Sequence, residues 1–104
     1  MIAVYIPCKD DDEAGRVGAH LLEKKLVACA NIWPIRSMYM WKGNLVDEGE
    51  VVCLLKSTED KYEAIKQEVA KVHSYEVPAI IKFNISANED YEKWLRDELN
   101  QQKK

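Results

Sequence analysis

Residues 26 to 57 predict one long antiparallel β-ribbon, and this ribbon constrains the rest of the fold. On both sides of Gly43-Asn44 the chain alternates and is rich in β-branched and aromatic residues. A two-residue Gly-Asn loop favours a tight hairpin because glycine supplies the positive φ that such turns need. A strand over residues 26 to 42 would span roughly 55 Å at about 3.3 Å per residue, whereas a domain of about 100 residues has a radius of gyration of about 13 Å. We therefore expect the ribbon to extend beyond its own domain.

The same ribbon predicts self-association. A strand pair that overhangs its domain leaves backbone donors and acceptors open to another chain. Trp33 and the run Met38 to Trp41 give it apolar faces to bury. We expect an oligomer built through this arm. Pro34 cannot donate to a ladder, so we expect a bend or a bulge where the first strand leaves the parent sheet.

Composition excludes several classes of protein. A chain of 104 residues suits a single domain over residues 1–104. The formal net charge of −3, without a basic stripe, makes nucleic acid an unexpected partner. The start lacks the pattern of a signal peptide, and no apolar run is long enough to cross a membrane, so we expect a cytoplasmic protein. Three cysteines without C-x-x-C spacing indicate free thiols.

The order of predicted elements indicates the fold class. Strand, helix, strand, strand, helix and strand, followed by an extra C-terminal helix, give the ferredoxin-like βαββαβ pattern of an α+β protein. Right-handed crossovers put the first and third strands in the centre of the sheet and the long second strand at its edge. Helix one is expected to run from the acids at 10–13 to about Lys25 and helix two to about Val72. Ser57 is the expected N-cap of helix two, and Ser86 that of the last helix.

Sequence motifs for catalysis are absent. The chain has no glycine-rich phosphate loop, G-x-S-x-G elbow or H-E-x-x-H pair. Asp47 and Glu48 are adjacent carboxylates in an expected ribbon loop, where acids most simply serve solvation. We therefore expect a protein that is not an enzyme and holds no organic cofactor.

One compact polar group stands between helix two and the last strand, in the segment VHSYEVP. His73, with Glu76 nearby and thiols from Cys8 or Cys29, offers nitrogen, oxygen and sulfur ligands that suit Cu²⁺ or another divalent cation. The structural alternative is that His73 caps helix two and Glu76 pairs with a lysine. The other histidine, His20, is expected on the surface of helix one.

Four segments together give the chain a family resemblance. LVACANI, SMYMWKGNL, HSYEVPAII and YEKWL, in that order, resemble the CutA family of divalent-cation-tolerance proteins. The matching positions are Cys29, Asn31, Ser37, Tyr39, Trp41, Gly43, Lys56, His73, Tyr75 and Pro78. The resemblance implies a ferredoxin-like subunit in a tight homotrimer, similar in architecture to the PII signalling proteins, with a role in tolerance to copper and other divalent metals. Ser74 stands where the family usually has proline, and Ile6 and Val72 stand where some copper-associated members have cysteine and histidine.

Two functions follow from these patterns. In the first, the protein is a non-enzymatic metal-binding or metal-tolerance homotrimer with His73, Cys8, Cys29 and Glu76 as metal ligands. In the second, it is a PII-like signalling or scaffold trimer. Its clefts between subunits would then bind a small anionic ligand or a partner protein through Asn31, Tyr39, Trp41, Lys56 and Tyr75. Lys56 beside aromatic residues favours the anion in this second hypothesis.

Overall fold

The computed structural model describes residues 1–100, which form four strands and three α-helices. Residues 101–104, the end of the predicted domain, lie outside the described range. In chain order the elements are β1 (Ile2–Cys8), α1 (Asp11–Glu23), β2 (Cys29–Trp41), β3 (Asn44–Ser57), a 3-10 turn (Glu59–Lys61), α2 (Tyr62–Val72), β4 (Ile81–Asn84) and α3 (Glu89–Leu99). This order confirms the predicted α+β, ferredoxin-like βαββαβ pattern with an extra C-terminal helix.

The sheet has the strand order β2-β3-β1-β4, with every neighbouring pair antiparallel. Its central strands are β1 and β3, and the long β2 lies at the edge, as the crossover rule predicted. The β2 and β3 strands pair without interruption from Cys29 opposite Lys56 to Trp41 opposite Asn44. The prediction of a bulge at Pro34 was wrong, because Pro34 pairs with Val51 in the same continuous register. An edge strand tolerates proline since its outward N–H groups have no ladder partner.

The ribbon gives the chain its elongated shape, which measures 47 × 29 × 21 Å. Its tip is a two-residue turn at Lys42-Gly43, one residue earlier than the predicted Gly43-Asn44 loop. Both turn residues have positive φ, 51° at Lys42 and 83° at Gly43. These angles match the type I′ turn, whose twist fits a two-residue hairpin. The carboxylates predicted in a ribbon loop lie instead within β3, where Asp47 pairs with Arg36.

The hydrophobic core lies between the sheet and the helices α1 and α2. Apolar residues at three- and four-residue spacing along the helices meet alternate residues of β1 and β3. The core members are Ile2, Val4, Ile6, Cys8, Ala14, Val17, Leu21, Val27, Cys53, Leu55, Ile65 and Val69. Because β-strand side chains alternate, Tyr5, Pro7 and Val52 fall on the opposite face of the sheet. There Tyr5 makes edge contacts with Trp33 and Phe83, at centroid distances of 6.4 and 6.5 Å.

Helix ends differ in detail from the sequence expectations. Asp10 caps α1 by accepting the N–H of Glu13, as its acidic start suggested. Ser57 does not cap helix two, because it ends β3 and its hydroxyl donates to the carbonyl of Leu26. Helix α3 begins after Asn88 rather than Ser86. His20 is only partly exposed and lies 2.8 Å from Glu68 on α2.

The three cysteines are free thiols, as expected. No helix within residues 1–100 is both long and apolar enough to cross a membrane.

Candidate functional site

His73, the best metal ligand predicted from the sequence, is the C-cap residue of α2, and its side chain is fully buried. Its Nε2 atom lies 2.9 Å from the carbonyl oxygen of Pro7 at the end of β1. Its Nδ1 atom accepts the backbone N–H of Tyr75 at 3.1 Å. Both ring nitrogens therefore have partners within the chain, and this pair of bonds fixes a neutral imidazole with its proton on Nε2.

Glu13 is the residue that sequence analysis missed at this position. Its two carboxylate oxygens accept the backbone N–H groups of Lys9, at 2.9 Å, and Ser74, at 2.7 Å. The acids at 10–13 were expected only to mark the start of helix one, but the Glu13 side chain is fully buried. The signal was present in the spacing, because Asp10 and Glu13 have the separation of a capping box, in which both side chains bond backbone N–H groups.

Cys8 completes a group of three side chains at the end of β1. Ligand-capable atoms of Cys8, Glu13 and His73 all lie within 4.8 Å of one another, and all three residues are buried. The Cys8 thiol donates a weak hydrogen bond to the carbonyl of Ile6, at 3.6 Å. Burial and the nearby Cys53 raise the pKa of the Cys8 thiol to about 12. Burial opposes the charged form of Glu13, but the N–H groups of Lys9 and Ser74 outweigh it and hold the pKa of this carboxyl below its usual value.

The three side chains do not fit a resident metal ion as they stand. Their nitrogen, oxygen and sulfur atoms are the types that copper or zinc would take. However, a thiolate is the form of cysteine that binds metal. In the metal-free chain burial raises the pKa of the Cys8 thiol to about 12, so a metal ion would also have to displace its proton. The nitrogens of His73 and the oxygens of Glu13 already bond backbone groups. A metal ion would have to break these hydrogen bonds within a closed interior, so the geometry is that of a structural cluster.

The other two predicted ligands lie outside this group. Cys29 lies on the edge strand β2, opposite Lys56 of β3, so β3 separates it from β1. Its thiol is 3.6 Å from the Asn31 side-chain oxygen. Glu76 is exposed in the loop before β4. The structure therefore does not bring Cys29 or Glu76 together with His73, and the four predicted ligands form no single site.

A cavity of about 440 Å³ lies between the tip-proximal half of the ribbon and the loop after α2. It is lined by Pro7, Tyr39, Trp41, Val46, Glu48, Glu50, Tyr75, Glu76, Val77 and Ala79. Three of the predicted cleft residues, Tyr39, Trp41 and Tyr75, are among them. The other two, Asn31 and Lys56, are elsewhere in the sheet: the amine of Lys56 lies 5.7 Å from the ring of Tyr91.

The polar lining of this cavity is acidic. The Tyr75 hydroxyl donates to Glu50, and the Tyr39 hydroxyl donates to Glu48 at 2.7 Å. Burial and the hydrogen bond to Glu50 raise the pKa of Tyr75, which stays a neutral donor. Glu48 and Glu50 were not among the cleft residues predicted from the sequence. A carboxylate in a β-ribbon does not indicate a binding site until the fold places it against a second element.

The buried cluster and the cavity share a wall. The Tyr75 backbone bonds His73, and the two rings make an edge contact at a centroid distance of 4.6 Å. Pro7 accepts from His73 and lines the cavity on its other side. Glu13 accepts the backbone N–H of Ser74, the residue between His73 and Tyr75. The cluster therefore fixes the position of Tyr75, whose hydroxyl reaches Glu50.

Known proteins share both this sequence and this fold. The divalent-cation tolerance protein CutA of Pyrococcus horikoshii is 41% identical over 99 residues, which cover 94% of this chain and 97% of that protein. The crystal structure of CutA1 from P. horikoshii superposes with a TM-score of 0.92 at 39% identity, covering 97% of this chain and all of that one. A PII-like CutA protein from Nostoc gives a TM-score of 0.88 at 26% identity, over 96% and 98% of the two chains. Residues 2–98 match the CutA1 divalent ion tolerance protein family, and the chain belongs to that family.

Proposed function

We propose that this protein acts in divalent-cation tolerance as a non-enzymatic homotrimer in the cytoplasm. The observation that carries the trimer is the apolar surface that a single chain leaves exposed on its ribbon. Met38, Met40 and Leu45 are 58%, 63% and 64% exposed. Contiguous apolar surface of this kind marks an interaction site in a soluble protein.

The sheet extends that surface. Trp33, Ile81 and Phe83 are exposed on the sheet face that α1 and α2 do not cover. An open sheet face and an edge strand together offer another copy both side-chain packing and backbone pairing. The name of the Nostoc relative, a PII-like protein, supports an assembly of the same kind. The three free thiols suit the reducing conditions of a cytoplasm.

We propose that the tolerated cations are copper and other divalent ions. Donor types at Cys8, Glu13 and His73 support that choice, but their hydrogen bonds oppose a resident ion. We therefore propose that tolerance does not depend on copper held at this cluster in the folded protein. The absence of catalytic motifs from the sequence supports a role without chemical turnover.

Two measurements test the proposal. Light scattering at micromolar concentration should return three times the 12.0 kDa mass of the chain, and a monomer would contradict it. Cells that lose the gene should grow less well in graded Cu²⁺, Zn²⁺ and Cd²⁺ and should recover when the gene is restored. Growth that does not change with the gene at any concentration of the three ions would contradict the tolerance role.

A second function has its own supporting observation. The 440 Å³ cavity between the ribbon and the loop after α2 has the size of a small-molecule site. We propose on this ground a PII-like ligand-binding role alongside cation tolerance. The acidic lining opposes the small anion that Lys56 had suggested, because Lys56 does not line this cavity and Glu48, Glu50 and Glu76 do.

A further inference from the structure

Glu50 is a buried carboxylate without a countercharge. Only 6% of the residue is exposed. Its one hydrogen-bond partner within residues 1–100 is the neutral hydroxyl of Tyr75, and none of the ion pairs among those residues involves it. A buried charge is costly unless it is paired. The position is therefore electrostatically incomplete in the single chain.

The cavity beside Glu50 holds further carboxylates that lack a countercharge. Glu48 and Glu76 also line it, and neither makes an ion pair within the described residues. Lys42, at the ribbon tip, lies 5.6 Å from the ring of Trp41 but pairs with none of these carboxylates. Three carboxylates around one cavity give it a strongly negative potential, which attracts cations into a cleft.

The remaining walls select the type of cation. Tyr39, Trp41 and Tyr75 supply aromatic rings, and Val46 and Val77 supply apolar surface. Aromatic faces attract ammonium and guanidinium groups and pack against carbon skeletons. The glutamates do not form a three-ligand group for a metal ion within residues 1–100, where only Cys8, Glu13 and His73 do. This combination fits an organic cation better than a bare divalent ion.

We propose that this cavity binds a small organic ammonium ion, with the charged nitrogen at Glu50 and its carbon skeleton between the rings of Tyr39, Trp41 and Tyr75. This inference rests on the ligand-binding role proposed above and is independent of cation tolerance. The Tyr75 hydroxyl, which donates to Glu50, orients the carboxylate toward the incoming nitrogen. The cavity volume of about 440 Å³ leaves room for a ligand with a ring or a short chain.

The competing source of positive charge is a lysine or arginine from a second copy of the chain. Such a residue would fill the cavity on assembly and leave no space for a ligand. The three aromatic walls favour a small molecule, and the experiment separates the two sources.

The test is titration calorimetry of the assembled protein with three benzene derivatives of similar size and different charge: benzylammonium, benzyl alcohol and benzoate. We expect benzylammonium to bind and the neutral and anionic compounds to bind at least tenfold more weakly. Glu50→Gln keeps the shape of the side chain and removes its charge, so it should weaken benzylammonium binding at least tenfold. Glu63→Gln removes an exposed carboxylate on α2, away from the cavity, and should leave binding unchanged.

Each other result overturns the proposal in a different way. Benzoate binding in preference to benzylammonium would show a ligand of opposite charge and leave the ligand-binding role in place. A Kd of 1 mM corresponds to roughly 4 kcal/mol. If none of the three compounds binds at about 10 mM, both the organic-cation proposal and the ligand-binding role are wrong. If Glu50→Gln then also lowers the oligomer mass, a basic residue of a second copy supplies the charge. Equal benzylammonium binding by Glu50→Gln and the parent would place the ligand elsewhere.

Discussion

The Nε2 atom of His73 lies 2.9 Å from the carbonyl oxygen of Pro7, which ties the end of α2 to the end of β1. The same imidazole accepts the N–H of Tyr75, so one side chain fixes three segments of backbone. The sequence analysis offered a cap of helix two as the structural alternative for His73, and His73 is the C-cap residue of α2. Its side-chain bonds to Pro7 and Tyr75 were not visible in the sequence. The metal-ligand interpretation and the structural interpretation therefore predict different results for one substitution.

His73→Ala should destabilise the protein without removing a copper site. It leaves the Pro7 carbonyl and the Tyr75 N–H without their buried partner, and each such loss costs about 1–3 kcal/mol. The free energy of unfolding, measured in denaturant, should fall by at least about 2 kcal/mol.

His20→Ala is the matched control, because His20 is a partly exposed histidine on α1 that bonds Glu68. It should cost less than His73→Ala. A His73→Ala protein with unchanged stability and a lost Cu²⁺ site would restore the metal-ligand interpretation.

Glu13 should make the protein sensitive to acid. Because its carboxyl pKa is lowered in the folded state from an ordinary value of 4.5, its contribution to stability is complete above that pH. The contribution disappears as the pH falls through the lower, folded pKa. In Glu13→Gln the free energy of unfolding should fall less steeply between about pH 5 and pH 3 than in the parent.

Glu63→Gln serves as the control for this acid response, since Glu63 is exposed and pairs with Lys66 at the next helical turn. Its unfolding free energy should follow the steep acid dependence of the parent. An identical acid dependence in Glu13→Gln and the parent would show that the buried carboxylate carries no such linkage.

Trp41→Glu should weaken assembly. Trp41 is 41% exposed in the single chain, at the end of β2 on the apolar ribbon. An aromatic residue buried in an interface can contribute about 2 kcal/mol or more to association, and a charge there adds a desolvation cost. Sedimentation velocity at micromolar concentration should show a smaller species than the parent.

Leu22→Glu adds the same charge at an exposed apolar residue on α1, away from the ribbon, and should keep the parent mass. A Trp41→Glu protein with the parent mass and melting temperature would place this ring in solvent.

Most of the fold was predicted from the periodic spacing of apolar residues. Apolar spacing located α1 and α2, and alternation located the ribbon, because burial on one face leaves a regular trace in sequence. Right-handed crossovers then ordered the strands. Boundaries were less certain where local signals competed: Ser57 resembles a helix cap, but its hydroxyl bonds the distant Leu26 carbonyl.

The candidate sites were only partly predictable, because they combine residues from separate elements. His73 and Tyr75 were visible as a polar motif, and the resemblance added Tyr39 and Trp41. Glu50 carries no local mark, since its partner Tyr75 lies 25 residues away in the chain. Glu13 has capping-box spacing from Asp10, but that spacing does not indicate its bond to Ser74, 61 residues away. Lys56 was predicted beside the aromatic residues of the cleft, but it does not line the cavity, and the ring near its amine belongs to Tyr91.

Gly43→Ala should destabilise the ribbon tip through the backbone alone. Gly43 has a φ of 83°, and a Cβ built there meets no atom within 4 Å, so crowding does not contribute. An L-residue in the left-handed region costs about 1–2 kcal/mol, and Lys42 beside it already has positive φ. We expect a loss of this size in the free energy of unfolding. Gly49→Ala is the matched control in β3, with equal space around its Cβ and no positive φ, and it should be neutral or stabilising because alanine loses less backbone entropy than glycine on folding. Equal effects of the two substitutions would mean that the Lys42-Gly43 turn does not require glycine.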